Sequence, residues 1–182
     1  MSNRLSKGKE ENLQAPVDSS PPASFPEVIC APARPPPKFQ KTIFLAGTTS
    51  SSTDWRIAVV AALSGVPVTI LNPLRPDWDS SWVERASFGP FREQVEWEIE
   101  MQERADVIVV YFGAGTDAPV SLLEFGLCAR SGKAAVVVCE EGYRKRGNVE
   151  IVCERYGIEM AADINELSSA LRRKLREQGV EA

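Results

Sequence analysis

A chain of 182 residues, 43% apolar and 25% charged, is long enough for one globular domain and an extension. Its net charge of −4 argues against a surface built to neutralise a phosphate backbone, so no nucleic-acid partner is expected. No run of about 18 apolar residues marks a membrane span, and the segment Met1 to Lys7 lacks the apolar core of a signal peptide. Histidine is absent and the 4 cysteines show no CxxC spacing. These facts exclude a Ser-His-Asp triad, Cys-His catalysis and a histidine-ligated metal. Chemistry therefore falls to carboxylates, hydroxyls, Tyr, Lys, Arg or thiols. Cysteines in apolar surroundings behave as small hydrophobes, and a reducing, cytoplasmic location is expected.

Residues 1–40 read as a proline-rich disordered tail. Pro16, Pro21, Pro22, Pro26, Pro32 and Pro35 to Pro37 interleave with polar residues, and no apolar period develops that could offset the entropy of ordering. Such a tail could carry a proline-rich partner motif. The folded domain is expected over residues 41–182. Lys41 to Gly47 reads as a buried strand ending in glycine, and after a Thr/Ser-rich loop Asp54 is placed to cap a helix stopped by Gly65. Val66 to Leu71 is a β-branched strand, and residues 72–90 form a long loop holding three prolines. The spacing predicts a helix over Phe91 to Ala105, a strand over Val107 to Phe112 and a helix over Val120 to Arg130. It further predicts a strand over Ala134 to Cys139, a helix over Asn148 to Tyr156, a short edge strand at Ile158 to Met160 and a terminal helix over Ile164 to Glu177. Strands alternating with helices imply an α/β fold: a doubly wound parallel sheet, flavodoxin-like or Rossmann-like.

In such sheets ligands collect outside the carboxyl ends of the strands. Loops 46–54, 72–90 and 112–120 leave those ends, and the polar and glycine-rich residues concentrate there. Gly47 and Thr48 open a loop whose hydroxyls and helix-terminal N–H groups could hold a phosphate or sugar hydroxyls, or could simply cap the helix. Asn72, Arg75, Asp77 and Trp78 gather in the second loop beside Trp82. Their aromatic rings could stack a base or pack back onto the sheet as a structural lid. Glu98 lies two helical turns before Asp106. Glu124 is the sharpest candidate, because a carboxylate between Leu122, Leu123 and Phe125 is costly to bury without a partner or a purpose. The alternative is a first-turn glutamate favoured by the helix dipole.

The segments Thr42 to Gly47, Asn72 to Trp78, Gln94 to Glu98, Ala105 to Ile108 and Pro119 to Gly126 occur in an order that resembles the nucleoside 2-deoxyribosyltransferase-like family. The resemblance covers about residues 41–160. It implies Glu124 as a nucleophile that attacks the anomeric carbon and forms a covalent glycosyl intermediate, resolved by a second base or by water. It also implies Glu98 and Asp117 near the departing base, and Asn148 as an asparagine supplied to the sugar of a neighbouring subunit in a homo-oligomer. Phe44 stands where the family often has an orienting tyrosine, so that role is either missing or supplied by another residue such as Tyr111 or Thr48. The expected substrate is a small nucleoside or nucleotide, with no metal and no cofactor. A hydrolase of deoxynucleoside monophosphates, with the Thr48 to Thr53 loop and Arg56 on the phosphate, and a non-catalytic nucleotide-binding module are the alternatives.

Overall fold

The computed structural model describes residues 26–49 and 54–182. The serines and threonine at 50–53, read above as part of a polar binding loop, and the first 25 residues of the tail lie outside the described residues.

Six parallel strands form one sheet in the order β1-β3-β2-β4-β5-β6. They are β1 (Glu27–Cys30), β2 (Thr42–Gly47), β3 (Thr69–Asn72), β4 (Val107–Phe112), β5 (Ala134–Cys139) and β6 (Glu159–Ala161). The crossovers are α1 (Trp55–Ala62), α2 (Gly89–Arg104), α3 (Pro119–Ser131) and α4 (Arg146–Tyr156), and α5 (Ile164–Glu177) ends the chain. Side chains alternate across each strand, and the two faces have separate cores. Ile43, Leu45, Val107 and Val109 pack with Trp55, Val59, Leu167 and Leu171 of α1 and α5. Phe44, Ala46, Ile108 and Val110 pack with Trp97, Met101, Phe125 and Val149 of α2, α3 and α4. With both faces covered, β2 and β4 are buried along their whole length and read as continuous apolar runs.

The expected three-layer α/β architecture is therefore observed, and most elements fall within two residues of their sequence positions. Two boundaries differ. β3 begins at Thr69 rather than Val66, because Pro67 has no N–H for a ladder and Val68 instead donates to the Val66 carbonyl. The ordered body begins before residue 41. β1, inside the stretch read as tail, pairs with β3 from Glu27–Thr69 to Cys30–Asn72. Its docking is held by side chains with little hydrophobic periodicity: the Thr69 hydroxyl donates to Glu27 at 2.6 Å, and the Trp97 indole donates to the Ala33 carbonyl at 2.8 Å. Four residues give too short a window for a strand signal among so many prolines.

At the amino ends of the central strands, Asp106 fixes the register of β2 against β4. Its carboxylate accepts from the Thr42 N–H and hydroxyl at 2.9 and 3.0 Å and meets the Lys41 ammonium at 2.9 Å. At the carboxyl ends, β2 and β4 are where the strand order reverses, with β3 on one side and β5 on the other. The loops that follow β2 and β4 flank the crevice which such a reversal opens.

Ile29 is 5% exposed in the lower core. Ile29→Ala is expected to lower unfolding free energy by about 2–4 kcal/mol, as for other buried aliphatic truncations. Urea unfolding measures this; a change within about 0.5 kcal/mol, typical of surface positions, would mean that β1 is not docked.

Candidate functional site

A cleft of about 370 Å³ opens at the carboxyl ends of β2 and β3, between α1, α2 and α3. Glu124, Ser121 and Val120 reach it from α3, Glu98 and Gln94 from α2, Arg56 from α1, and Arg75 and Trp78 from the loop after β3. Gly47 forms part of its wall. Gly47 adopts φ of 140°, and a Cβ at this position would overlap the Tyr111 backbone, so only glycine lets the first loop lie this close to β4.

Glu124 sits in the second turn of α3, whose first turn contains no acidic residue. The dipole explanation therefore contributes little, since that effect falls off within the first turn. The carboxyl group is mostly buried, and burial pushes its pKa up to about 8. The negative charge of Glu98 adds to the rise and the Arg56 cation opposes it. Glu98 is also raised, chiefly by burial, against the hydrogen bond from Gln94 and the attraction of Arg56. Two carboxyl groups thus face one cleft, and burial favours the protonated form of each.

Arg56 is the buried counter-charge. It is 4% exposed, donates to the Thr48 and Gly47 carbonyls at 3.0 and 2.9 Å, and lies 4.4 Å above the Trp55 ring. Its Nε has no partner among the described residues. Burial lowers its pKa, while Asp54, Glu124 and Glu98 support the charged form. Gln94 is equally enclosed, at 5% exposed. Its amide nitrogen donates to the Pro73 carbonyl at 2.8 Å and to Glu98 at 2.9 Å, and its oxygen has no partner among the described residues. Gln102 ties α3 to α2 by donating to the Glu124 backbone carbonyl at 2.8 Å.

The loop after β3 is built before any ligand arrives. Arg75 pairs with Asp77 and Glu93 at 2.8 Å each and lies 5.0 Å from the Trp82 ring. Trp78, Trp82 and Phe88 follow at centroid distances of 5.1 and 6.0 Å. Trp82 therefore packs within the loop, while Trp78 stays 44% exposed at the cleft.

Of the residues singled out in the sequence, the structure gathers Gly47, Arg75, Trp78, Glu98 and Glu124 in one cleft. Asp77 stands behind Arg75 and orients it. Asn72 is buried below, its side-chain oxygen accepting from the Leu74 N–H at 3.1 Å. Thr48 is buried on the β4 side, where its hydroxyl accepts from the Gly113 N–H at 3.3 Å. The Tyr111 hydroxyl donates to Glu140, while its ring stacks on Trp55 at 4.9 Å. Phe44 is fully buried and packs against Trp97. Asp117 and Asn148 stand outside the cleft of their own chain. The Asp117 side chain is 73% exposed and pairs with Arg144 at 2.7 Å, and Asn148 is exposed near the start of α4. Gln94, Ser121, Glu84 and Phe91 line the cleft without having stood out in the sequence, and Arg56 stood out only as a phosphate ligand. A sequence signal existed for two of them: Gln94 lies one turn before Glu98, and Ser121 one turn before Glu124.

No ≥3-member group of Cys, Asp or Glu suited to a metal occurs among the described residues, and no helix there is long and apolar enough to cross a membrane. No curated protein matches the chain. The family described as nucleoside 2-deoxyribosyltransferase like matches residues 40–143, a span that includes the cleft residues from Gly47 to Glu124. That match extends over more than half of the sequence, and the chain belongs to the nucleoside 2-deoxyribosyltransferase-like family.

Proposed function

We propose that the protein cleaves the N-glycosidic bond of nucleosides or deoxynucleosides, passing the sugar to water or to a second base. The observation that carries this reading is the pairing of Glu124 and Glu98 in one partly apolar cleft, beside a buried cation and under an exposed indole. In this mechanism the Glu124 carboxylate attacks the anomeric carbon, and the C–N bond breaks with its electron pair going to the base. Glu98 protonates a neutral base as it leaves. Water, or an incoming base, then attacks the anomeric carbon of the glycosyl ester while Glu98 takes its proton, and Glu124 is regenerated. Arg56 stabilises the ionised member of the pair. Trp78 and Phe91 flank the base, and Ser121 is within the same wall for the sugar.

Asp117, exposed and ion-paired with Arg144, receives no step. Asn148 is assigned to the sugar in a neighbouring subunit of a homo-oligomer, which its exposure outside its own cleft supports. The free cysteines support a reducing compartment such as the cytoplasm.

Glu124→Gln is expected to lower turnover about a thousandfold or more. Wild type incubated with a 2-fluoro-sugar nucleoside is expected to carry a glycosyl adduct on Glu124, read by peptide mass spectrometry. No adduct and no turnover with any nucleoside would leave a binding module instead.

The same substitution carries a stability signature. The Glu124 pKa of about 8 in the fold exceeds its ordinary value of 4.5, so the carboxyl group favours the fold fully below pH 4.5. That contribution is lost as pH rises toward 8, to a limit of about 3–5 kcal/mol. The Gln variant lacks this loss, so it is expected to gain on wild type over that window in urea unfolding. Parallel pH curves for the two proteins would contradict a buried, protonated Glu124.

For a neutral nucleoside, kcat/KM is expected to follow a bell in pH, since one of the two carboxyl groups must be ionised and the other protonated. In Glu98→Gln the alkaline limb should disappear. The remaining acid limb should have a midpoint below about 8, because the Glu98 charge that helps raise Glu124 is gone. An unchanged bell would remove Glu98 from the reaction.

A further inference from the structure

Helix α2 turns one polar stripe toward the cleft and α3. Gln94, Glu98 and Gln102 recur every four residues, so they share a face. The two glutamines are 5% and 6% exposed, an unusual enclosure for a residue type that normally reaches water. Gln102 ties the helix of the nucleophile to α2 through the Glu124 backbone carbonyl. Gln94 acts at the other end of the stripe, where its amide nitrogen serves two acceptors at once, the Pro73 carbonyl at 2.8 Å and Glu98 Oε1 at 2.9 Å. Two acceptors fix which way the amide faces, and its oxygen is left without a partner among the described residues. A buried amide with an unmet acceptor is a poor stabilising device. Its use lies in what the nitrogen holds.

Pro73 opens the loop that carries Trp78. The same stretch is fixed by the Asn72 side-chain oxygen, which accepts from the Leu74 N–H at 3.1 Å, and by Arg75, which meets Glu93 at 2.8 Å. Glu93 and Gln94, neighbours on α2, therefore grip residues 73–75 together. Of the two Glu98 oxygens, the bond from Gln94 engages Oε1. A carboxyl proton is best placed on the oxygen that accepts no N–H, here Oε2. We propose that Gln94 is a positioning residue for the glycosidic reaction: it joins the Glu98 carboxyl group to the loop that carries Trp78 and leaves Oε2 as the atom that gives and takes the proton.

This inference rests on the glycosidic reading and adds a restraint to it. As the base leaves, the O–H bond at Glu98 Oε2 breaks and the base nitrogen takes the proton. The carboxylate left behind is steadied at Oε1 by the Gln94 N–H. When water resolves the glycosyl ester, Oε2 takes a proton back and the bond at Oε1 persists. Gln94 itself exchanges no proton. Its bond favours ionised Glu98 and so opposes the rise caused by burial, as does Arg56 from α1. Glu124 from α3, and Arg75 and Glu84 from the loop after β3, are the other charged groups on the cleft walls. Removing the Gln94 N–H therefore raises the Glu98 pKa. The centre of the bell in kcat/KM is the mean of the two apparent pKa values of the carboxyl pair, so it moves to higher pH whichever group titrates first.

The test uses the full-length chain carrying Gln94→Met, which keeps the length and loses both donors, or Gln94→Asn, whose amide stops one methylene short. Circular dichroism checks that each variant folds. Each is expected to lose about tenfold or more in kcat with KM held within about threefold, and to centre its bell about half a pH unit higher. Carboxyl carbon NMR follows Glu98 independently of turnover, its signal identified by its absence in Glu98→Gln. That signal is expected to titrate at higher pH in Gln94→Met than in wild type. A loss of kcat with both the bell and the Glu98 titration unmoved marks a purely structural role and overturns the inference, and so does wild-type kcat in folded Gln94→Met. No cleavage of any nucleoside by wild type overturns the glycosidic reading instead. The Glu98 titration then still decides whether Gln94 governs that carboxyl group: if it does not move, the inference falls as well.

Discussion

Two carboxyl groups face one cleft, and Arg56 is the cation fixed beside them. Its position follows from a chain of backbone constraints. Gly47 brings the end of β2 against Tyr111, the carbonyls of Gly47 and Thr48 turn toward α1, and Arg56 reaches them from the first turn of that helix. Trp55, beside it in sequence, seals the arrangement by donating to the Thr48 carbonyl at 3.0 Å and stacking on Tyr111. Charge, loop and sheet are thus one construction. Without it Glu124 and Glu98 would lose an attraction that opposes the rise burial gives their pKa values.

The architecture was legible because its signals are repeated. Val107 to Phe112 and Thr42 to Gly47 are buried on both faces, so they appear as unbroken apolar runs, and the alternation of such runs with helices dictates parallel pairing. β1 was illegible for the opposite reason. It is an edge strand of four residues, only partly buried, among prolines, and its hold combines the ladder to β3 with single bonds from Thr69 and Trp97 to partners distant in sequence. No local pattern encodes such pairings.

The site was legible where chemistry conflicts with surroundings. Glu124 stood out because a carboxylate among leucines needs a reason, and Trp78 because an indole in a polar loop does. Arg56 and Gln94 stood out less, because an arginine or glutamine on a helix is ordinary until its partners are known. What makes them unusual is enclosure, and enclosure arises only when α1, α2 and the loop after β3 come together. Asp117 was suggested only by the family resemblance, and its side chain is exposed and paired with Arg144.

The segment between β3 and α2 is held by its own contacts and by Glu93 and Gln94 of α2. Trp78, Trp82 and Phe88 touch one another in series, Arg75 spans Trp82 and two carboxylates, and neither tryptophan belongs to the two sheet cores. Segments outside the cores open, as a rule, at lower free energy than the strands of the sheet. Amide protons there would exchange with solvent through a smaller fluctuation than those of β2 or β4. The roof of the cleft can thus give way to admit a bulky heterocycle without putting the rest of the molecule at risk of melting.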